Sequence, residues 1–181
     1  MSNWIFITGG CGYLGSHIAA HLQDTTTYNI MLIDRKAKQL PHTWKFAKVY
    51  ADEDYSSPVV LNAIRDYRPE CIIHCAAEST HNSAIAPLLS WENDVSKTVS
   101  LLQTCVQNNI SNVIFASSAS VYATSAIASQ ENYATTAYNC NAGIKLAIES
   151  MLQHCYRSYN INSVSLRFSN IAGGGAYYYY T

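Results

Sequence analysis

Three glycines spaced by threes, Gly9, Gly12 and Gly15, close a short apolar run from Trp4 to Thr8 and open an amphipathic stretch at Ser16. That order reads as a strand, a tight turn and a helix start. Glycine at these places permits a sharp turn, close approach of backbone to a phosphate, and tight contact of helix on strand. The spacing is Gly-x-x-Gly-x-x-Gly, not the commoner Gly-x-Gly-x-x-Gly. A helix starting here presents free N–H groups and a positive dipole end, so Gly9, Gly12, Tyr13, Leu14 and Gly15 are candidates to cradle a pyrophosphate. Asp34 ends the next apolar run, Tyr28 to Asp34, nineteen residues past Gly15. A carboxylate there accepts both adenosine ribose hydroxyls and repels a 2′-phosphate, which selects NAD over NADP. Arg35 beside it argues the other way, because a guanidinium can hold that phosphate.

The elements that must position these residues follow from the rest of the chain. With 181 residues, 49% of them hydrophobic and 13% charged, the composition is that of a globular domain with a full core. The net charge of −1 gives no electrostatic reason to expect nucleic acid or an anionic membrane. No apolar run has membrane-spanning length and the N-terminus lacks a leader pattern, so the expected location is cytoplasmic. The six cysteines, Cys11, Cys71, Cys75, Cys105, Cys140 and Cys155, form no Cys-x-x-Cys pair and sit near no histidine cluster. Reduced, packed thiols are expected, and no metal.

Strand and helix patterns alternate. Phe46 to Tyr50 reads as a third strand after a polar loop, Arg35 to Trp44. Pro58 opens a helix through Arg68, and Pro69 ends it. Cys71 to Ala77 is apolar on both faces, as a central parallel strand should be. A long helix is expected from Leu88 to Asn108, then a strand from Val113 to Ser117, a helix carrying Ile144, Ile148 and Leu152, and a strand from Ser163 to Phe168. His74, within an apolar strand, reads as a satisfied core histidine. The fold class is α/β, a doubly wound parallel sheet of the Rossmann type. One domain is expected over 1–172, with a tyrosine-rich, low-complexity tail over 173–181.

The glycine turn, the Ile72-to-Ala77 strand, Ser117-Ser118-Ala119-Ser120-Val121-Tyr122 and Leu166-Arg167-Phe168-Ser169-Asn170 together resemble the extended short-chain dehydrogenase/reductase family, in particular its UDP-glucose 4-epimerase branch. The likeness covers nearly the whole chain in order. It implies Gly9, Gly12 and Gly15 on the pyrophosphate, Asp34 on the ribose, Asp52 on adenine, and Ala76 and Ala77 beside the cofactor. It implies Ser118 on the reacting sugar oxygen, Asn170 on the substrate, and Lys145 at the nicotinamide ribose. Hydride would pass from a sugar carbon of a UDP-hexose to NAD and return to the other face. Pairing of two copies through the long helices is implied by the same analogy.

The chain departs from the family at several places. The base in such chemistry is a tyrosine four residues before the lysine, its pKa lowered by the ammonium. Here Asn141 stands four before Lys145, and the nearest tyrosine, Tyr138, stands seven before. On one continuous helix that offset is about 10 Å along the axis, too far for a shared proton. Tyr138 could serve as the catalytic base if Asn141 caps the helix and Tyr138 folds back from the loop before it, and Gly143 could also loosen that first turn. The family's Asn-x-x-Gly reads Asp94-Val95-Ser96-Lys97, suggesting a surface Asp94–Lys97 pair. Ala119 and Ser120 replace the Asp-Glu of the dehydratases, although Ala76-Ala77-Glu78-Ser79 is dehydratase-like. Family members continue into a smaller substrate domain, which this sequence is expected to lack. The function read from the chain is therefore NAD-dependent nucleotide-sugar epimerisation, weak or incomplete. The alternatives are a non-catalytic NAD-binding or interaction module, and a nucleotide-sugar dehydratase or small-alcohol reductase.

Overall fold

Side-chain alternation along the first strand, β1 (Trp4–Thr8), sets both layers of the molecule. Phe6 joins a large buried cluster on one side, while Ile5 and Ile7 join a smaller cluster on the other. A computed structural model describes residues 3–36, 48–122 and 130–173. The next elements are α1 (Tyr13–Thr25), β2 (Asn29–Asp34), β3 (Lys48–Ala51), α2 (Pro58–Tyr67) and β4 (Cys71–His74). They are followed by α3 (Thr80–Ile85), α4 (Pro87–Trp91), a π-helical segment (Glu92–Ser96) and α5 (Lys97–Gln107). The chain then forms β5 (Asn112–Ser118), a 3₁₀ turn (Ala119–Val121), α6 (Cys140–Tyr159) and β6 (Asn162–Phe168).

The strands pair in parallel in the order β3-β2-β1-β4-β5-β6. The order reverses between β1 and β4. That is the switch point, where a doubly wound sheet leaves a crevice beyond the strand ends. The expected Rossmann architecture is present.

Helices α2, α5 and α6 cover one face through Val60, Ile64, Leu101, Leu102, Ile144 and Ile148, packed on Phe6, Ile72 and Phe115. On the other face α1 packs Ala19, Ile18 and Leu22 over Ile5, Ile7, Ile30 and Leu32. Ser57 caps α2, its side chain accepting the Val60 N–H at 3.3 Å, and Pro58 occupies the first turn where no N–H is needed.

Several boundaries differ from expectation. Arg68 is not the end of α2 but its left-handed cap, with φ +45°. The stretch between β4 and the long helix holds an extra helix, α3, capped by Ser79. The long helix is not uniform, because the π-helical segment interrupts it. β4 ends at His74, with Cys75 to Ala77 continuing outside the ladder. Most of the polar loop (37–44), the start of the expected third strand (46–47), Ala123 and the tail beyond Gly173 lie outside the described residues.

Candidate functional site

The glycine turn is shaped by what surrounds it. Gly9 has φ +64°, a conformation that side chains strain to adopt. A Cβ there would lie 2.7 Å from the Ala76 backbone nitrogen, so the turn presses directly on the end of β4. A Cβ at Gly15 would lie 2.3 Å from the Gly9 carbonyl oxygen, which sets the first turn of α1 on the glycine turn. The Gly12 N–H donates to the Gly9 carbonyl at 3.0 Å and closes it. Gly12 is the N-cap of α1 and offers no side-chain cap, and the first turn holds no acid. The positive end of the helix thus carries neither a cap side chain at Gly12 nor an acid in its first turn.

Asp34 is fixed beside this turn. Its Oδ2 accepts the Cys11 N–H at 3.0 Å and its Oδ1 accepts the Lys36 N–H at 3.0 Å. Two single acceptances leave lone pairs on both oxygens for ribose hydroxyls. Asp52 follows β3 in a left-handed conformation, φ +62°, and its neighbour Glu53 donates its N–H to the Asp34 carbonyl at 3.0 Å. Ala76 and Ala77 continue β4 over the crevice, and the Ala76 N–H donates to Thr8 Oγ1 at 3.3 Å. The residues read as adenosine-side and pyrophosphate-side contacts therefore gather at the ends of β1, β2, β3 and β4. They fit a dinucleotide.

Of the residues read as catalytic, Ser118 ends β5 and Lys145 reaches it from α6. Ser118 Oγ accepts the Ser120 N–H at 3.1 Å, tying the hydroxyl to the 3₁₀ turn. Lys145 is buried on α6, donates from Nζ to the Ala116 carbonyl at 2.9 Å, and lies 4.8 Å from the Phe115 ring centroid. Burial pushes its pKa down, while Asp94, Cys75 and Glu149 favour the charged form. Asn141 shares that face one turn earlier and donates from Nδ2 to Ser120 Oγ at 3.2 Å. The position four before the lysine therefore faces the end of β5, as the family pattern requires of its base. It carries an amide.

Asn141 is not the helix cap. Asn139 is, with its Oδ1 accepting the Ala142 N–H at 2.8 Å. Tyr138 precedes that cap, outside the helix and 54% exposed. Asn170 lies exposed beyond β6. The chain then returns to the glycine turn, since a Cβ at Gly173 would lie 2.5 Å from the Tyr13 hydroxyl.

The expected Asp94–Lys97 surface pair is corrected. Lys97 pairs with Asp54 at 2.7 Å. Asp94 is buried and accepts the Glu78 N–H on both oxygens, at 3.1 and 3.0 Å. Burial raises the Asp94 pKa, against the pull of the Glu78 N–H and Lys145. Two further acids gain partners that only the fold supplies: Glu78 Oε1 pairs with Arg35 at 2.7 Å, and Glu149 is held by Arg167 at 2.7 Å. Their partners lie 43 and 18 residues away, beyond any local pattern. The Glu149 signal was Lys145 four residues earlier, on the same helix face. Among the described residues no group of three or more His, Cys, Asp or Glu side chains is placed to hold a metal. No described helix is long and apolar enough to cross a membrane.

Strand order, glycine turn and carboxylate together define a doubly wound dinucleotide-type domain. The chain belongs to the NAD dependent epimerase/dehydratase family, whose model matches residues 5–178. A UDP-glucose 4-epimerase from Azospirillum brasilense is 28% identical over 93% of this chain and 49% of its own length. Among solved structures, a UDP-glucose 4-epimerase from Brucella ovis in complex with NAD superposes with TM-score 0.82 at 28% identity, covering 91% of this chain and 51% of that one. The Thermus thermophilus UDP-glucose 4-epimerase in complex with NAD gives 0.79 at 27% identity, covering 91% and 54%. The chain spans about half the length of the relatives it matches.

Proposed function

We propose that the chain is an NAD-binding domain of the nucleotide-sugar epimerase type, with a UDP-hexose as the substrate class of its lineage. The observation that carries this is the glycine turn, which presses through Gly9 on the end of β4, seats the first turn of α1 through Gly15 and leaves Gly12 as a cap with no side chain, with Asp34 alongside. Gly9, Gly12, Tyr13, Leu14 and Gly15 would hold the pyrophosphate, Asp34 the ribose, Asp52 the adenine, and Ala76 and Ala77 the path along the crevice. Bound there, NAD supplies an acceptor and donor for a sugar hydride. Ser118 and Asn170 would hold the sugar, and the Lys145 ammonium would favour anions near the end of β5.

A second reading is favoured at one position, the one four residues before Lys145 that faces the turn after β5. A carboxamide does not take up a proton at neutral pH, and Asn141 is a carboxamide. Tyr138 sits before the cap and off the helix axis. The chain is accordingly read as a dinucleotide-binding unit whose own residues carry proton transfer poorly. Dehydration and small-alcohol reduction are less favoured, because each needs acid–base groups that the described residues do not bring together at this site.

Calorimetric titration tests the binding. NAD is expected to bind saturably, and Gly12→Asp to weaken it by about tenfold or more, because a carboxylate at the cap neutralises the helix end and repels the phosphates. The backbone at Gly12, φ −73° and ψ 173°, suits any residue, and a Cβ there would lie 3.1 Å from the Gly9 carbonyl oxygen, so the variant should keep its fold with a small shift of the turn, checked by its melting temperature. Absence of NAD binding to the unmodified chain overturns the proposal. An assay of UDP-glucose and UDP-galactose interconversion tests the second reading. Little turnover is expected before Asn141→Tyr and more after it, whereas fast turnover by the unmodified chain sinks it.

A further inference from the structure

Arg35 stands directly after Asp34, at the place where a guanidinium would welcome the 2′-phosphate of NADP. Its guanidinium reaches instead from the end of β2 to the far side of β1, where Glu78 follows β4. There its Nη2 meets Glu78 Oε1 at 2.7 Å. Glu78 is held from several directions. Asn93 Nδ2 donates to the same oxygen at 3.2 Å and Asn82 Nδ2 donates to Oε2 at 2.9 Å. Its own N–H is gripped by both oxygens of buried Asp94. Its side chain is 12% exposed against 45% for Arg35, so the acid is the fixed partner and the guanidinium the movable one. Burial works to raise the Glu78 pKa, and donation from Asn82 and Arg35 overrides it, leaving the acid ionised at neutral pH.

We propose that Glu78 determines cofactor specificity, holding the Arg35 guanidinium away from the adenosine ribose so that Asp34 faces a 2′-phosphate uncompensated. The inference rests on the reading that the chain binds NAD. Asp34 cannot turn away from an incoming phosphate, because backbone N–H groups of Cys11 and Lys36 fix both its oxygens. Arg35 offers no net attraction while a carboxylate lies 2.7 Å away. Asp54 and Asp94 add negative charge on the same side, offset in part by Lys97 and Lys145. A 2′-phosphate, close to doubly charged at neutral pH, is rejected by the whole group.

The test compares dissociation constants for NAD and NADP, by calorimetry at one salt concentration, across four forms of the chain. These are the unmodified chain, Glu78→Gln, Arg35→Ala and the double variant. The unmodified chain should prefer NAD. Glu78→Gln should shift the NADP-to-NAD ratio toward NADP by about tenfold, because a released guanidinium pairs bidentately with phosphate. Arg35→Ala alone should move the ratio far less, and the double variant should lose the gain. If Glu78→Gln melts below the assay temperature, Glu78→Met, of similar length, takes its place. NAD binding with a ratio unmoved by Glu78→Gln, or a gain that survives removal of Arg35, overturns the role of Glu78 alone. Binding of neither dinucleotide to the unmodified chain overturns the dinucleotide reading and this one with it.

Discussion

His74 shows how much a single side chain can fix. Thr98 donates its hydroxyl to the Asp94 carbonyl, so the oxygen it turns to His74 Nε2, 3.0 Å away, is an acceptor. The ring therefore carries its proton on Nε2 and accepts the Thr8 hydroxyl at Nδ1, 2.7 Å away. β1, β4 and α5 are joined through one neutral imidazole, stacked on Phe115 and edge-on to Tyr55. Burial first, and the Lys145 ammonium second, push its pKa down to about 3. In the unfolded chain a histidine titrates near 6.5. The folded value is the lower one, so the stability this residue contributes is complete above about pH 6.5 and is lost as pH falls toward about 3. His74→Asn should be less stable at pH 7, since an amide cannot span both threonines. Its urea midpoint should also fall less steeply between about pH 6.5 and 3 than that of the unmodified chain. An equally steep acid limb in the variant would show that other groups carry it.

At the scale of the element, α6 depends on where its cap lies. Asn139 and Asn141 flank Cys140, and the only cap considered from sequence is Asn141. The structure chooses Asn139, which turns Asn141 inward to Ser120. Asn139→Ala should therefore cost about 1 kcal/mol in urea unfolding, the usual value of a side-chain cap. Asn141→Ala, losing one bond between half-buried side chains, should cost less, and the reverse order would relocate the cap. The same contrast shows what the sequence could reveal. β1, β2, β4 and β5 are written as apolar runs, and the glycine turn as spacing, so local pattern was sufficient for them. α3, Thr-His-Asn-Ser-Ala-Ile, has no apolar stripe, and it exists because Ser79 caps it. Asp94 looked like a surface acid beside Lys97, because nothing local signals that its carboxylate grips the Glu78 N–H sixteen residues earlier. The glycine turn was legible because it is built from contiguous backbone. The Arg35–Glu78 strap was not, because only the switch between β1 and β4 brings its two ends together.

At the scale of the whole molecule, the two faces of the sheet are covered unequally. Helices α2, α5 and α6 bury Phe6, Ile72, Val113 and Phe115, whereas among the described elements α1 alone packs on the opposite face, over β1 and β2. Register carries that second face onward to Ile114 beside Val164 and to Ala116 beside Leu166. Val164 is 53% exposed and Leu166 41%, on a strand that is also the edge of the sheet. A groove of about 990 Å³ runs along β5, β6 and α6, away from the glycine turn. An apolar face continued to an unpaired edge invites contact with other molecules. The described part of the chain should accordingly self-associate as concentration rises, seen as an increase in weight-average mass by sedimentation velocity. Leu166→Lys places a charge on that face at the edge, where soluble sheets commonly carry one. It should lower the association while leaving the melting temperature nearly unchanged, since the leucine is not part of either buried cluster. Association of equal strength in the variant would assign the contact to another surface, such as exposed Ile85, Leu88 and Trp91 around α4. The crevice proposed for NAD lies at the carboxyl ends of the strands and this face along their sides, so NAD binding should persist in Leu166→Lys even as self-association falls.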